Sequence, residues 1–206
     1  MRSLSDAYRA AAEAIDAANS ADPTSVVVRG VEQPLAVAHG RLAAEWIERL
    51  VPDADEAVLL AARAHHLRRW EVGRSSYPEG RWGYLRWRRD QKDRHARDVE
   101  AILTSAGYGP DAVGPVQSLL RREHVSTDPR AQAVEDAACL VFIETQLDDM
   151  IGRLDHARLI EVVRKTARKM SPAALDAVGE LTLSDAAKAL LADALSPDDP
   201  PESTAR

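Results

Sequence analysis

Val58-Leu59-Leu60-Ala61-Ala62-Arg63-Ala64-His65-His66 is the stretch on which the fold turns. It is an apolar run of good helix formers that ends on two adjacent imidazoles. At least one of those rings must point into the interior near a helix end, and a buried imidazole needs polar partners. Neighbouring helical positions diverge by about 100°, so both rings serve one site only at a helix terminus or between several helices.

Outward from this stretch the apolar spacing is helical nearly everywhere, and β-branched runs are short. A first helix is expected over 4–19, ended by Ser20-Ala21-Asp22-Pro23-Thr24. Val26-Val27-Val28 is the one extended piece. A second helix is expected over 34–51. A third starts after Pro52 with Asp53 as N-cap and Asp55 and Glu56 in its first turn, and ends near Trp70. The segment 73–83 is expected as loop and 84–106 as a long polar helix, stopped by Gly107-Tyr108-Gly109-Pro110. A short helix follows over 112–123. Asp128-Pro129 and Ser171-Pro172 each pair an N-cap with a proline at the first helical position, opening helices over 129–150 and 172–179. An amphipathic helix lies between them. No repeat and no break in composition divides the chain, so the fold class is all-α, a multi-helix bundle in a single domain over 1–195. The proline-rich acidic segment 196–206 is expected as a disordered C-terminal tail.

The 206 residues, 45% of them apolar, suffice for one core. No apolar run is long enough to span a bilayer and the first ten residues lack a secretory pattern, so we expect no membrane association and a cytoplasmic protein. The single cysteine, Cys139, sits in an apolar run and is expected in the core rather than as a nucleophile. The net charge of −6 argues against nucleic-acid binding by the surface as a whole.

Chemistry rests on the histidines. His39 stands early in the second helix, followed by Gly40, small enough to let another group approach. His65 and His66 close the third, His95 lies on the long polar helix, and His124 ends the next. Asp136 is a carboxylate in the apolar helix Ala133-Val134-Glu135-Asp136-Ala137-Ala138-Cys139-Leu140. Each has a plain alternative: His124 complements a helix dipole, His95 lies on a solvated face beside Asp93, and Asp136 is held by an arginine. His156 is read as a solvated surface group.

Taken in order, the series His39, His65-His66, His95, His124 and Asp136 resembles the HD superfamily of metal-dependent phosphohydrolases. The likeness covers about residues 32–145. Those proteins carry a histidine near the start of one helix, a His-Asp pair closing the next, and an aspartate inside a later apolar helix. The resemblance implies an HD-like helical bundle and a divalent transition metal (Mn, Fe, Co, Ni or Zn) held by His39, His65, His66, His124 and Asp136. His66 departs from the pattern by standing where the family has aspartate. An imidazole offers one nitrogen to one metal where a carboxylate bridges two, which favours a mononuclear site. The His-His pair with Ser75-Ser76-Tyr77-Pro78 after it is also similar to an uncharacterised HD-like subgroup.

Residues 68–97 hold ten basic and four acidic residues, a local +6 in a chain of −6, together with Trp70, Trp82 and Trp87. Arginine matches phosphate bidentately and an aromatic face stacks a base, so a small phosphorylated substrate, such as a nucleotide, is expected on Arg68, Arg69, Arg74 and Arg81. The alternative is a solvated helix face with intrahelical pairs and tryptophans in the core. Glu135 and His95 are the residues expected to manage protons. A metal-dependent phosphohydrolase is thus the leading expectation. An iron-dependent oxygenase of the HD-like type and a non-catalytic anion- or RNA-binding module stand behind it.

Overall fold

A computed structural model describes residues 4–196. The tail expected over 196–206 lies outside them except for its first residue. Among the described residues the chain forms nine α-helices and one hairpin. Helix α1 spans Asp6–Asn19. Strands β1 (Ser25–Val28) and β2 (Val31–Pro34) pair antiparallel, Val26 opposite Gln33. Then come α2 (Leu35–Leu50), α3 (Glu56–Ala64), α4 (Gly80–Ser105), α5 (Pro110–Arg121), α6 (Pro129–Ile151), α7 (His156–Ala167), α8 (Pro172–Ala177) and α9 (Asp185–Leu195). The all-helical, single-domain architecture expected from the sequence is what forms.

Local chemistry sets most of the boundaries. The side chains of Ser5, Asp55, Asp128, Asp155, Ser171 and Ser184 each accept a backbone N–H of the helix they open, satisfying donors that have no intrahelical partner. Three details differ from expectation. Asp55, not Asp53, caps α3, because its carboxylate reaches the Val58 N–H at 2.9 Å. Helix α3 stops at Ala64 rather than near Trp70, since Arg68 takes a left-handed conformation (φ 50°) and gives its N–H to Asn19 Oδ1 at 2.9 Å. Helix α4 begins at Gly80, where residues to 83 were expected as loop. Two glycines hide this start: Gly80 has φ 83°, and a Cβ on Gly83 would lie 1.9 Å from the Pro78 carbonyl. The lone extended piece is half of a hairpin turned at Arg29 and Gly30, both at positive φ. Helix α9 was not foreseen, although Ser184-Asp185 is an ordinary N-terminal signal.

Helix α2 is the centre of the bundle, packing on α3 and α6 and touching α1 and the hairpin. Its buried face includes Ala36, Ala38, Leu42, Ala43, Trp46 and Ile47, and α3 is buried along Val58 to Ala62. The two helices approach closely at Gly40, where a Cβ would stand 2.4 Å from the Arg63 carbonyl oxygen. Asp16 of α1 locks the same junction, accepting both Nε and Nη2 of Arg63 (2.9 and 2.7 Å) and Nε of Arg41 (2.8 Å). Buried Asn19 adds a second tie, donating to the Ala36 carbonyl while accepting from Arg68.

Gly40→Ala should therefore destabilise the protein by roughly 1–3 kcal/mol, the range for overpacking, although alanine is the better helix former by about 1 kcal/mol. A urea midpoint equal to or above wild type would mean that α2 can move off α3 freely.

Candidate metal centre and cleft

The junction of α2 and α3 builds the site. Because α3 ends at Ala64, His65 and His66 lie in the turn that follows, and their rings come together at 4.1 Å between centroids instead of diverging around a helix. His39 reaches in from α2, its ring 5.1 Å from that of His66 and 6.4 Å from that of His65. One nitrogen from each of the three lies within 4.8 Å of the others.

The shorter contacts assign the protons, and the longer 3.4 Å approach of the Gln146 amide nitrogen to His39 Nε2 is not a hydrogen bond in that assignment. The Thr145 hydroxyl donates to the Val141 carbonyl (2.7 Å), so its oxygen accepts Nε2–H of His39 at 3.0 Å, leaving His39 Nδ1 bare. That nitrogen accepts Nδ1–H of His66 at 2.9 Å. His65 donates Nδ1–H to the Ala62 carbonyl at 2.7 Å and keeps a lone pair on Nε2. A histidine fixed through its outer N–H by a carbonyl or hydroxyl is how proteins orient imidazoles toward a metal. Two nitrogens each about 2.0–2.1 Å from one ion stand about 3.0–3.4 Å apart, close to the 2.9 Å between His39 and His66. A single divalent ion replacing the shared proton therefore fits the His39–His66 pair, and His65 would close in to complete the set, since two nitrogens on one such ion stand at most about 4.2 Å apart.

Burial keeps the rings neutral. It pushes His39 down to about 4, with nearby Arg69 adding to the effect. His65 is held well below the usual histidine range, first by burial and then by Arg122 and His39, and His66 likewise, first by burial and then by His65 and Arg69. His95 is pushed to about 3 by burial and by Arg69, against the opposing pull of the Leu67 carbonyl. The Leu67 carbonyl lies near the His95 ring without a well-formed hydrogen bond, and among the described residues neither ring nitrogen of His95 nor the buried Gln91 Oε1 has a well-aligned partner.

His65, His66 and His95 form the floor of a cleft of about 300 Å³. Its walls carry Arg69, Arg88, Lys92, Arg122 and Lys169, facing one carboxylate, Glu135. Arg122 pairs with Glu135 at 2.9 Å and Lys169 approaches it at 4.0 Å. Arg69, Arg88 and Lys92 have no ion-pair partner among the described residues; Arg69 lies 4.4 Å over the Trp87 ring and Arg88 5.8 Å over Tyr84. This crowding of like charge has a physical signature. Burial and then Arg88 bring Arg69 down to about 10, and burial with Arg122 lowers Lys92. Burial acts to raise the Glu135 carboxyl, but Arg122, Lys169, Lys92 and Arg88 outweigh it and hold it below the usual range.

Some expected residues meet here and others do not. Glu135 and His95 line the cleft, and of the four arginines expected on substrate only Arg69 does. Arg68 is exposed, Arg74 donates to the carbonyls of Tyr77, Pro78 and Gly80, and Arg81 is exposed on the first turn of α4. Two expected metal ligands lie outside the cluster. His124 is an exposed turn residue at φ 59°. Asp136, 3% exposed, accepts the Ser171 N–H (2.8 Å) and Gln132 Nε2 (2.9 Å), so it joins α6 to the start of α8. Among the described residues no arginine holds it. The part of α6 that faces His39 comes about ten residues later, at Thr145 and Gln146. Cys139 is buried, its thiol pushed up to about 12 by burial and by Glu135, as a core residue. Arg122 and Lys169 were not expected in the site. Arg88 and Lys92 were legible in principle, since Tyr84, Arg88, Lys92 and His95 follow one face of α4 at helical spacing.

Four histidines that stay neutral when buried and titrate near 6.5 when unfolded give metal-free protein a marked pH dependence. Their depressed folded pKa values mean that unfolding takes up protons. The stabilisation is complete above about pH 6.5 and is lost as pH falls toward 4 and below. Urea midpoints should drop steeply between pH 7 and 5; a flat profile would mean that the rings are not buried neutral.

No curated protein and no solved structure matches the chain. The family model for a domain of unknown function, DUF4202, matches residues 9–191, which takes in every element from most of α1 to the body of α9. The histidine cluster and its basic cleft thus lie wholly inside the matched region, and the chain belongs to the DUF4202 family.

Proposed function

We propose that this protein is a metal-dependent hydrolase of a phosphorylated small molecule or nucleotide, built on an HD-like arrangement of helices. The observation that carries the proposal is the junction of two features. Three neutral histidines converge within 4.8 Å, and the cleft above them sets five cationic side chains against one carboxylate. His39, His65 and His66 would hold a single Mn, Fe, Co, Ni or Zn ion. When bound, such an ion supplies Lewis acidity, acidifying water and polarising a phosphoryl oxygen.

The chain's own groups do the rest. Arg69 and Arg88, without carboxylate partners, bind and orient phosphoryl oxygens in a partly dehydrated cleft, where each contact is stronger than in water. Glu135 is kept ionised by Arg122 and Lys169. As the substrate's negative charge draws those two cations to itself, the carboxylate becomes more basic and accepts a proton at Oε1, the oxygen not bonded to Arg122. His95 and Gln91 present unbonded polar atoms beside the floor, able to hold a water or a substrate hydroxyl.

Elemental analysis of untagged protein purified without chelator should find close to one transition-metal ion per chain. His65→Ala should lose it and Asp136→Ala should keep it. With metal present, screening phosphate esters and nucleotides should find phosphate release, and Arg88→Gln should raise KM about tenfold or more with a smaller change in kcat, the loss of one charged hydrogen bond. Protein that takes up none of the five metals, or that holds metal equally after His65→Ala, would overturn the centre. Stoichiometric iron with oxygen consumption and no phosphate release would replace hydrolysis with oxygenase chemistry.

A further inference from the structure

The cleft does not end at its mouth. Helix α4 continues past it as a strip from Gly80 to Arg89 that contains four arginines, two tryptophans, a tyrosine and no acidic residue. Trp82 is 67% exposed, Leu85 52% and Tyr84 43%. Tryptophan is highly buried on average, so an indole left this bare on a well-formed helix is unusual. It stands among cations: Arg86 lies 5.6 Å over the Trp82 ring, Arg81 has no ion-pair partner among the described residues, and Arg86 and Arg89 share one carboxylate, Asp90, at 3.7 and 3.5 Å. A second hollow of about 350 Å³ continues the first, sharing Arg88, Lys92, Glu135 and Lys169 with it and adding Leu85, Arg89, Arg121 and Asp93, the last two paired at 3.5 Å.

We propose that this strip binds single-stranded nucleic acid, with a base stacked on Trp82, phosphates on Arg81, Arg86 and Arg89, and Tyr84 at the cleft mouth receiving the strand as it turns toward the cleft. Three observations favour a strand over other anions. From Arg81 to Lys92 the helix runs about 17 Å at 1.5 Å per residue, more than one nucleotide spans. An exposed indole with a guanidinium over its face and further arginines beside it suits a ligand that offers bases and phosphates together. The charge is local as well, since the chain as a whole is −6, so the strip attracts a polyanion where the remaining surface repels it. A lipid surface would be met by aliphatic side chains projecting together, and Leu85 is the only exposed one here. The strip stands apart from the metal centre, and only the delivery of a strand end to the cleft rests on the hydrolase reading.

The test is a fluorescence anisotropy titration of a labelled single-stranded oligonucleotide across a salt series, run on protein as purified and after chelator treatment. Both forms should bind equally, which separates this surface from the metal site. Trp82→Ala should weaken binding at least about fivefold, the equivalent of one stacking contact of about 1 kcal/mol, with metal content unchanged. Replacing Arg81, Arg86 and Arg89 with glutamine together should reduce the slope of log affinity against log salt by about 2, at about 0.7 per phosphate contact. These residues are exposed, so the variants should fold, and circular dichroism checks that. The proposal is overturned by absence of strand binding in wild type, by equal affinity for duplex with no effect of Trp82→Ala, or by binding to phosphatidylserine vesicles alone. A mononucleotide bound as tightly as the strand, and insensitive to Trp82→Ala, also overturns it while leaving the cleft its small substrate.

Discussion

The close approach of α2 and α3 is the constraint on which the rest of the structure depends. Gly40 has no side chain, so the Arg63 carbonyl can stand where a Cβ would be, 2.4 Å from that position. Everything at the centre follows from that contact. His39 immediately precedes Gly40, and the turn carrying His65 and His66 begins two residues after Arg63, so the contact that packs the helices also places three imidazoles together. The ties around it serve the same junction. Asp16 bridges Arg41 and Arg63, and Asn19 holds the start of α2 to the turn after His66. Buried polar groups so placed specify one geometry, because moving either helix would leave donors and acceptors without partners in a low dielectric.

Electrostatics above this junction runs in one direction. The rings are neutral because burial strips water from them, and the cations in the cleft deepen that effect. The Arg69 guanidinium acts on His39, His66 and His95, and that of Arg122 on His65 and His95. Neutral imidazoles are the form that ligates metal, so the arrangement that repels protons prepares lone pairs. The same cations lower one another, leaving the cleft with positive charge that Glu135 alone does not balance. An anion entering would offset the mutual repulsion of these cations and compensate for the water they have lost.

Helix α4 connects the two scales of this charge. One face, through Tyr84, Arg88, Lys92 and His95, looks into the cleft, while Trp82, Leu85 and Arg89 look out. Its polar sequence therefore has two meanings, and a charge run that resembles a solvated face is divided by a rotation of about 100° per residue.

The sequence by itself determined the helical class, the single core and most helix boundaries, because these follow from local rules. Apolar periodicity, Asp128-Pro129, Ser171-Pro172 and the glycines around 107–109 act over a few residues. It also marked at least one of His65 and His66 as an interior ring and Gly40, beside His39, as a point of approach. The resemblance in histidine order was less informative about α6, where it pointed to Asp136. Only the tertiary structure decided that the Asp136 carboxylate would meet the Ser171 N–H and that Thr145 and Gln146 would face His39. The rotation of α6 about its axis is set by packing against α2, which no local pattern encodes. Arg122 and Lys169 were illegible for the same reason: they come from segments far apart in the chain, and their shared partner, Glu135, is a matter of distance in space rather than spacing in sequence.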